Sequence, residues 1–376
     1  MARNRVIYQS ESLYVSEGID SSSATKHEQL TRVQSANYSF TINRQDINEF
    51  GSLARLDSII MEAPTVSLDF SYYITDGFNE KALGFSLNNN NDVQFLSGHM
   101  GQTSGKNYFI TTAAEGKDAT DLDGNDGIEA IIGFGNAFLS DYTVDLAVGS
   151  LPTASVSLEC ANMRSVAGTD ISGVDNISGM DNPAVDITNG ADIGGEVVLP
   201  KHVLSGQATT NTIGALQPGD ITINIENLDD VTFTDISGVD AENAINIQSA
   251  SLSIPLSRTP INRLGTRFPY ARSVDFPLNA TLSVNGVVSD VQARNLSTIM
   301  NTNSKKNITL TLKGAGGVSE KMVFTLKGCR VDSESFSSSI GSNKSVDIVF
   351  STQIGGTNDT SNGVFVSGAN TVTPFA

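Results

Sequence analysis

The chain has 376 residues, long enough for two ordinary domains, and its 23 basic against 41 acidic residues give a net charge of −18. A balance this acidic excludes a protein that grips nucleic acid, because phosphate binding depends on Lys and Arg displacing counterions. Apolar runs fall well short of the ~20 residues of a membrane helix, and two cysteines far apart, Cys160 and Cys329, make neither a disulfide framework nor a zinc site.

The composition, rich in Ser, Thr, Asn and Gly and without Trp, suits an all-β chain with many turns. The first residues, Met1 to Tyr8, carry positive charge with no apolar stretch behind them, so no secretory signal is expected. From Val33 to Asn43 the pattern alternates. Tyr38, Phe40 and Ile42 share one face, and Asn37, Ser39 and Thr41 the other. Arg44 to Pro64 is too long for a tight hairpin and mixes charge with Phe50, Leu53, Leu56, Ile59 and Ile60. Such a segment either docks on another subunit or folds back on its own domain. A second alternating strand follows, with Val66, Leu68 and Phe70 opposite Ser67, Asp69 and Ser71. A short helix is expected near Asn79 to Leu87, with Asp76 as its cap. Further strands are expected at Lys106 to Thr111 and Ala154 to Leu158.

The middle of the chain is different. Between Ala161 and Ala244, thirteen acidic residues face only Arg164 and Lys201. Residues 165–215, rich in Gly, Asp and Asn, read as a connector or inserted surface segment. The heptapeptide Thr169 to Asp175 recurs at Thr234 to Asp240, in a spacing that matches nothing else in the chain.

Then the beginning returns. Ile247 to Gly265 repeats Val33 to Gly51 with eight of nineteen positions identical, among them Arg44/Arg258, Asn48/Asn262 and Gly51/Gly265. In the same register Leu252, Ile254 and Leu256 alternate with Ser251 and Ser253, and Ala280, Leu282 and Val284 with Thr281 and Ser283. Arg258 to Pro277 is a second long segment, with Leu264, Phe268 and Tyr270. Ser289 opens a capping-box pattern ahead of Val291 to Met300. Lys306 to Thr311 resembles Lys106 to Thr111, and Val346 to Phe350 after Gly341-Ser342 resembles Ala154 to Leu158 after Gly149-Ser150. Four blocks recurring in order indicate a tandem duplication. The expected layout is domain 1 at 1–164, the acidic connector at 165–215, domain 2 at 216–354 and a flexible tail at 355–376.

Chemistry is hard to find. His27, His99 and His202 lack a nucleophile or carboxylate at a motif spacing. Gly133-Phe134-Gly135 lacks the strand-loop-helix context of a nucleotide site. Asp121 to Gly127 departs from the EF-hand template, with Asp126 where Gly belongs and Ile132 where the bidentate Glu belongs, and reads as a solvated acidic loop or a calcium loop. No enzyme, cofactor or metal is expected.

The run Arg5-Val6-Ile7-Tyr8-Gln9-Ser10-Glu11-Ser12-Leu13-Tyr14-Val15, then Arg32 to Ser35, Tyr38 to Phe40 and Arg44 to Gly51, resembles tail tube proteins of tailed bacteriophages. The resemblance is densest over residues 5–87 and weaker through the second copy. It implies a β-sandwich or half-barrel with one short helix per domain, present twice, and a homotrimeric ring of pseudo-sixfold symmetry. Under it, Asn37, Ser39, Thr41, Ser67, Asp69, Ser71, Ser251, Ser253, Thr281 and Ser283 would face a lumen. Arg44, Asp46, Asn48, Phe50, Leu53 and Leu56, with Arg258, Asn262, Leu264, Phe268 and Tyr270, would dock the adjacent ring. Implied partners are copies of the chain, a terminator, baseplate or tip protein, and a sheath if the tail is contractile. DNA would pass without specific binding and no membrane would be entered. A tail terminator, a decoration protein and an extracellular β-sandwich adhesin or glycan-binding module are the alternatives.

Overall fold

The computed structural model describes residues 11–90, 92–114, 117, 119, 128–168, 176–200, 215–216, 221–225, 246–287, 305–314, 319–338 and 343–375, and nearly all its regular structure is β. The first half runs β1 (Glu11–Ser16), β2 (His27–Gln29), β3 (Val33–Thr41), β4 (Arg44–Ile47), β5 (Asp57–Ile60) and β6 (Thr65–Tyr73). Two short helices, α1 (Phe78–Leu83) and α2 (Ser97–Met100), lead to β7 (Lys106–Ala113), β8 (Ile128–Ala147), β9 (Thr153–Cys160) and β10 (Asn162–Ala167). A hairpin of β11 (Asn176–Asp181) and β12 (Glu196–Pro200) follows. The second half runs β13 (Ile221–Ile225), β14 (Asn246–Pro255), β15 (Arg258–Ile261), β16 (Ala271–Val274), β17 (Leu278–Val287), β18 (Lys306–Lys313), β19 (Glu320–Ser337), β20 (Ser345–Ile354) and β21 (Gly363–Gly368).

Period-2 patterning sorts these strands into layers. In β6, Val66, Leu68, Phe70 and Tyr72 are buried while Thr65 and Asp69 are exposed, and β17 repeats the pattern with Leu278, Ala280, Leu282 and Val284. Side by side, the strands form one antiparallel inner sheet in the order β3-β6-β9-β8-β14-β17-β20-β19. The same order of four is thus written twice. Each half adds an outer sheet, β2-β1-β7-β8-β10 in the first and β13-β18-β19-β21 in the second. The long strands β8 and β19 belong to both layers of their halves. Three bulges fall at matching places: Val33/Ser35 and Ile247/Ser249, Leu139/Asp141 and Val331/Ser333, Lys106/Tyr108 and Lys306/Ile308.

Between the layers lies one apolar core continuous through both halves. In the first half α1 seals it. The helix starts where Asp76 Oδ1 accepts from the Phe78 amide at 3.3 Å, although Gly77 rather than Asp76 holds the cap position, and it stops at Gly84 in the left-handed region (φ 107°). Stacked Phe85 and Phe95, 4.1 Å between centroids, fill the space behind it. Glu80 is buried there and accepts from the hydroxyls of Tyr72 (2.8 Å) and Tyr142 (3.2 Å). Burial raises its carboxyl pKa. The helix expected at Val291 to Met300 lies outside the described residues, as do the Asp121–Gly127 loop, both heptapeptides and His202.

The two outer sheets differ, and the sequence says why. On the first, Tyr14, Phe109 and Ile131 point away from the main core and are covered by Ile177, Met180, Val197 and Leu199 of the β11–β12 hairpin. The corresponding positions of the second are Asn224, Thr309 and Val323, two of them polar where the first sheet has aromatic rings. Much of the segment expected as surface connector is therefore a packed layer. The last residues also depart from expectation: a mobile tail over 355–376 is replaced by β21, which pairs with β19 as β10 pairs with β8. Val364, Phe365 and Val366 are buried. The Asn370 side chain then donates to Asp76 (2.9 Å) and the Phe375 amide to Glu28 (2.9 Å), tying the end of the chain to the first half.

Candidate assembly surfaces

The polar face of the inner sheet is assembled from every second residue of eight strands. Adjacent partners Ser35, Ser71, Ser155, Thr143, Ser253, Thr281 and Ser351 make a row of hydroxyls across it. Ser35 and Ser71 hydroxyls lie 2.7 Å apart, and those of Ser39 and Ser67 2.8 Å apart. Asp69, Asp141, Asp145, Glu159 and Asp347 put carboxylates on this face, with Ser251 donating to Asp145 at 2.6 Å. Burial raises the Asp141 pKa. Among the described residues that pair within the inner sheet Arg330, at the end of the hydroxyl row, is the one cation. All ten positions expected on the polar side, Asn37, Ser39, Thr41, Ser67, Asp69, Ser71, Ser251, Ser253, Thr281 and Ser283, lie on exposed or half-buried alternations of these strands.

Sequence comparison missed the fourth strand of each quartet, β8 and β19. Asp141 to Asp145 and Ser333 to Ser337 occupy matching places with no identical residue. The blocks at Lys106 and Lys306, in contrast, belong to the outer sheets. The signal available was the bulge one residue upstream, which is invisible before pairing is known.

Among the described residues the ends of the inner sheet are unpaired. At one end β3 exposes Tyr38 (45%) and Phe40 (54%), whose counterparts Leu252 (2%) and Ile254 (0%) are buried against β8. At the other end β19 exposes Phe336 (44%), whose counterpart Val144 is buried (2%). Open apolar strand edges are an aggregation hazard unless another chain covers them.

Two hairpins project from the sheet, β4–β5 and β15–β16. In the first, Arg44, Asp46, Asn48, Phe50, Leu53 and Leu56 are all exposed, Phe50 and Leu53 completely, and Arg55 pairs with Asp46 at 2.9 Å. In the second, Asn262, Leu264 and Tyr270 are exposed. Two residues expected at a docking surface are not available for it. Arg258 is buried at the foot of the hairpin, donating to the His99 carbonyl at 3.0 Å with its guanidinium over the Phe138 ring, and Phe268 packs on Ala161 and Val185. Loss of solvent there pulls the Arg258 pKa down to about 10. The second arm therefore folds back at its foot, which packs on its own chain, while its tip is exposed.

Two histidines and both thiols lie inside the fold. His27 and His99 are buried, each donating from Nδ1, to the Ser23 carbonyl (2.9 Å) and to Gln102 Oε1 (3.2 Å), and burial lowers both pKa values to about 4. The Cys329 thiol is pushed up to about 12 and that of Cys160 further, both by burial. Among the described residues no His, Cys, Asp and Glu cluster could hold a metal, and no helix is long and apolar enough to cross a membrane.

No protein-family model and no curated protein matches the chain. Two solved tube assemblies resemble part of it. A chain of the sheath–tube complex of PVC, an extracellular contractile injection system in its extended state, is 13% identical with a TM-score of 0.29, over 44% of this chain and 99% of that one. The SPP1 tail tube is 9% identical with a TM-score of 0.28, over 42% of this chain and 81% of that one. Overlaps this loose do not place the chain in a family.

Proposed function

We propose that this protein is a structural component that assembles with copies of itself into rings, which stack into the tube of a bacteriophage tail. The observation that carries the reading is the inner sheet: four strands in one order, then the same four again, polar on one face and, among the described residues, unpaired at both ends. A tandem duplication of one tube domain accounts for the doubled order and the matching bulges. Three copies, each giving two such quartets, would close a barrel around a lumen and leave no edge open. The polar face would then line the channel. With carboxylates and hydroxyls but almost no cation, it would repel phosphates and let DNA slide past. The exposed hairpin tips, Phe50 and Leu53 on one arm and Leu264 on the other, would meet the next ring.

The test is negative-stain electron microscopy of the concentrated, purified chain, with light-scattering mass on the same sample. Hollow rings or tubes with a three-chain unit are expected. A monomer that stays monomeric at every concentration would overturn the reading.

A further inference from the structure

The chain already contains one junction between quartets, β8 against β14, and this junction predicts the next. Strand β3 is to β6 as β14 is to β17: Tyr38 opposes Leu68 where Leu252 opposes Leu282. Strand β8 is to β9 as β19 is to β20: Leu139 opposes Leu158 where Val331 opposes Phe350, with a bulge directly after each. In the internal junction Leu252 sits opposite Val144, Ser253 opposite Thr143 and Ile254 opposite Tyr142. Carrying each partner to its counterpart on the free edges gives a defined pairing.

We propose that β19 of one copy runs antiparallel to β3 of the next with Tyr38 opposite Phe336, Ser39 opposite Ser335 and Phe40 opposite Glu334. This rests on the ring reading and deepens it by naming the edges, the register and the occupant of a cleft. That cleft, about 870 Å³, lies beside β19 and is lined by Phe276, Arg330, Asp332, Ser351 and Gln353. Four of these have counterparts in the first half, Phe138, Ser140, Glu159 and Ala161, and there the second arm fills the space. The Leu256 amide donates to the Ser140 carbonyl at 2.8 Å, Arg258 lies over Phe138, Arg272 reaches Glu159 at 3.3 Å and Phe268 packs on Ala161. The matching positions of the first arm are Ile42, Arg44, Ser58 and Ala54, so the occupant is the foot of the neighbour's β4–β5 hairpin. Ile42 is 36% exposed where Leu256 is 1% exposed, as expected of a residue awaiting that seat. Asp332, in place of Ser140, offers Arg44 a carboxylate.

The register is tested with the paired substitution Ser39→Cys and Ser335→Cys, oxidised in assembled material and resolved without reductant. Directly opposed Cβ atoms come within disulfide reach, whereas a two-residue slip separates them by roughly 7 Å. The native thiols of Cys160 and Cys329 are buried and should stay silent. Covalent chain-to-chain linkage is expected from this pair and its loss from the slipped pair, Ser39→Cys with Ser337→Cys. Rings that link only through the slipped pair, or through neither, would overturn the register while leaving the ring reading intact. Absence of rings from the unaltered protein would overturn both. Ile42→Asp tests the cleft: a monomer with an unchanged β spectrum is expected, and normal rings would remove the arm from it.

Discussion

At the scale of single residues, two buried histidines set the acid side of stability. In both, Nδ1 donates to a carbonyl oxygen, so Nε2 carries no proton, and it has no partner in the core. Protonation would strand a charged N–H there. Their folded-state values of about 4 lie below the 6.5 of a free histidine, so the unfolded chain takes up protons first as pH falls. Stability present above 6.5 should be lost between 6.5 and about 4, at up to ~1.4 kcal/mol per pH unit for each histidine. Glu80 works the other way: its raised pKa makes the folded state the better proton binder, so its contribution declines as pH rises. Denaturant midpoints measured across the acid range should fall with pH, and His99→Gln should flatten the fall. Gly135 is a second such position. A Cβ there would collide with the Pro183 backbone, where the 182–184 stretch crosses β8. Gly135→Ala should lower stability by roughly 1–3 kcal/mol in equilibrium unfolding. The sequence marked this Gly-Phe-Gly run as noteworthy, but its reason, a close crossing by residues nearly fifty positions later, has no local signature.

At the scale of elements, period-2 alternation located the inner strands well, because each has one face in the core and one in water. It could not say which alternation belonged to an edge: Tyr38 and Phe40 look like core residues and are half exposed because β3 has β6 as its one strand neighbour among the described residues. The arms were legible as long apolar insertions, but foot and tip were not separable, since Phe268 and Leu264 differ in environment and not in type. That difference makes opposite predictions. Phe50→Asp or Leu53→Asp should leave stability within about 0.5 kcal/mol, since both side chains are in solvent, while shortening tubes relative to single rings in electron micrographs. Phe268→Ala should cost about 3 kcal/mol by unfolding, because it empties a packed site on the chain's own first half.

At the scale of the whole molecule, the doubled strand order was readable in part from the recurring blocks, and the packing of the acidic middle was not. Its Asp and Gly content suggested a solvated surface, whereas its few apolar residues, Ile177, Met180, Val197 and Leu199, cover a face that Tyr14 and Phe109 leave oily. The polar inner face makes its own prediction. Ser67→Lys should still assemble, yet tubes carrying it should retain DNA in cosedimentation at low salt and release it at high salt.

The unequal outer sheets carry a further consequence. Among the described residues only the first half bears such a layer, β11–β12, so there the two halves match near the polar face and differ away from it. A closed ring would then repeat every four strands at small radius and every eight strands at large radius. Whatever wraps such a tube would meet two alternating surfaces and could bind every second one. Rotational averaging of end-on tube images should show the finer periodicity around the lumen and the coarser one at the rim.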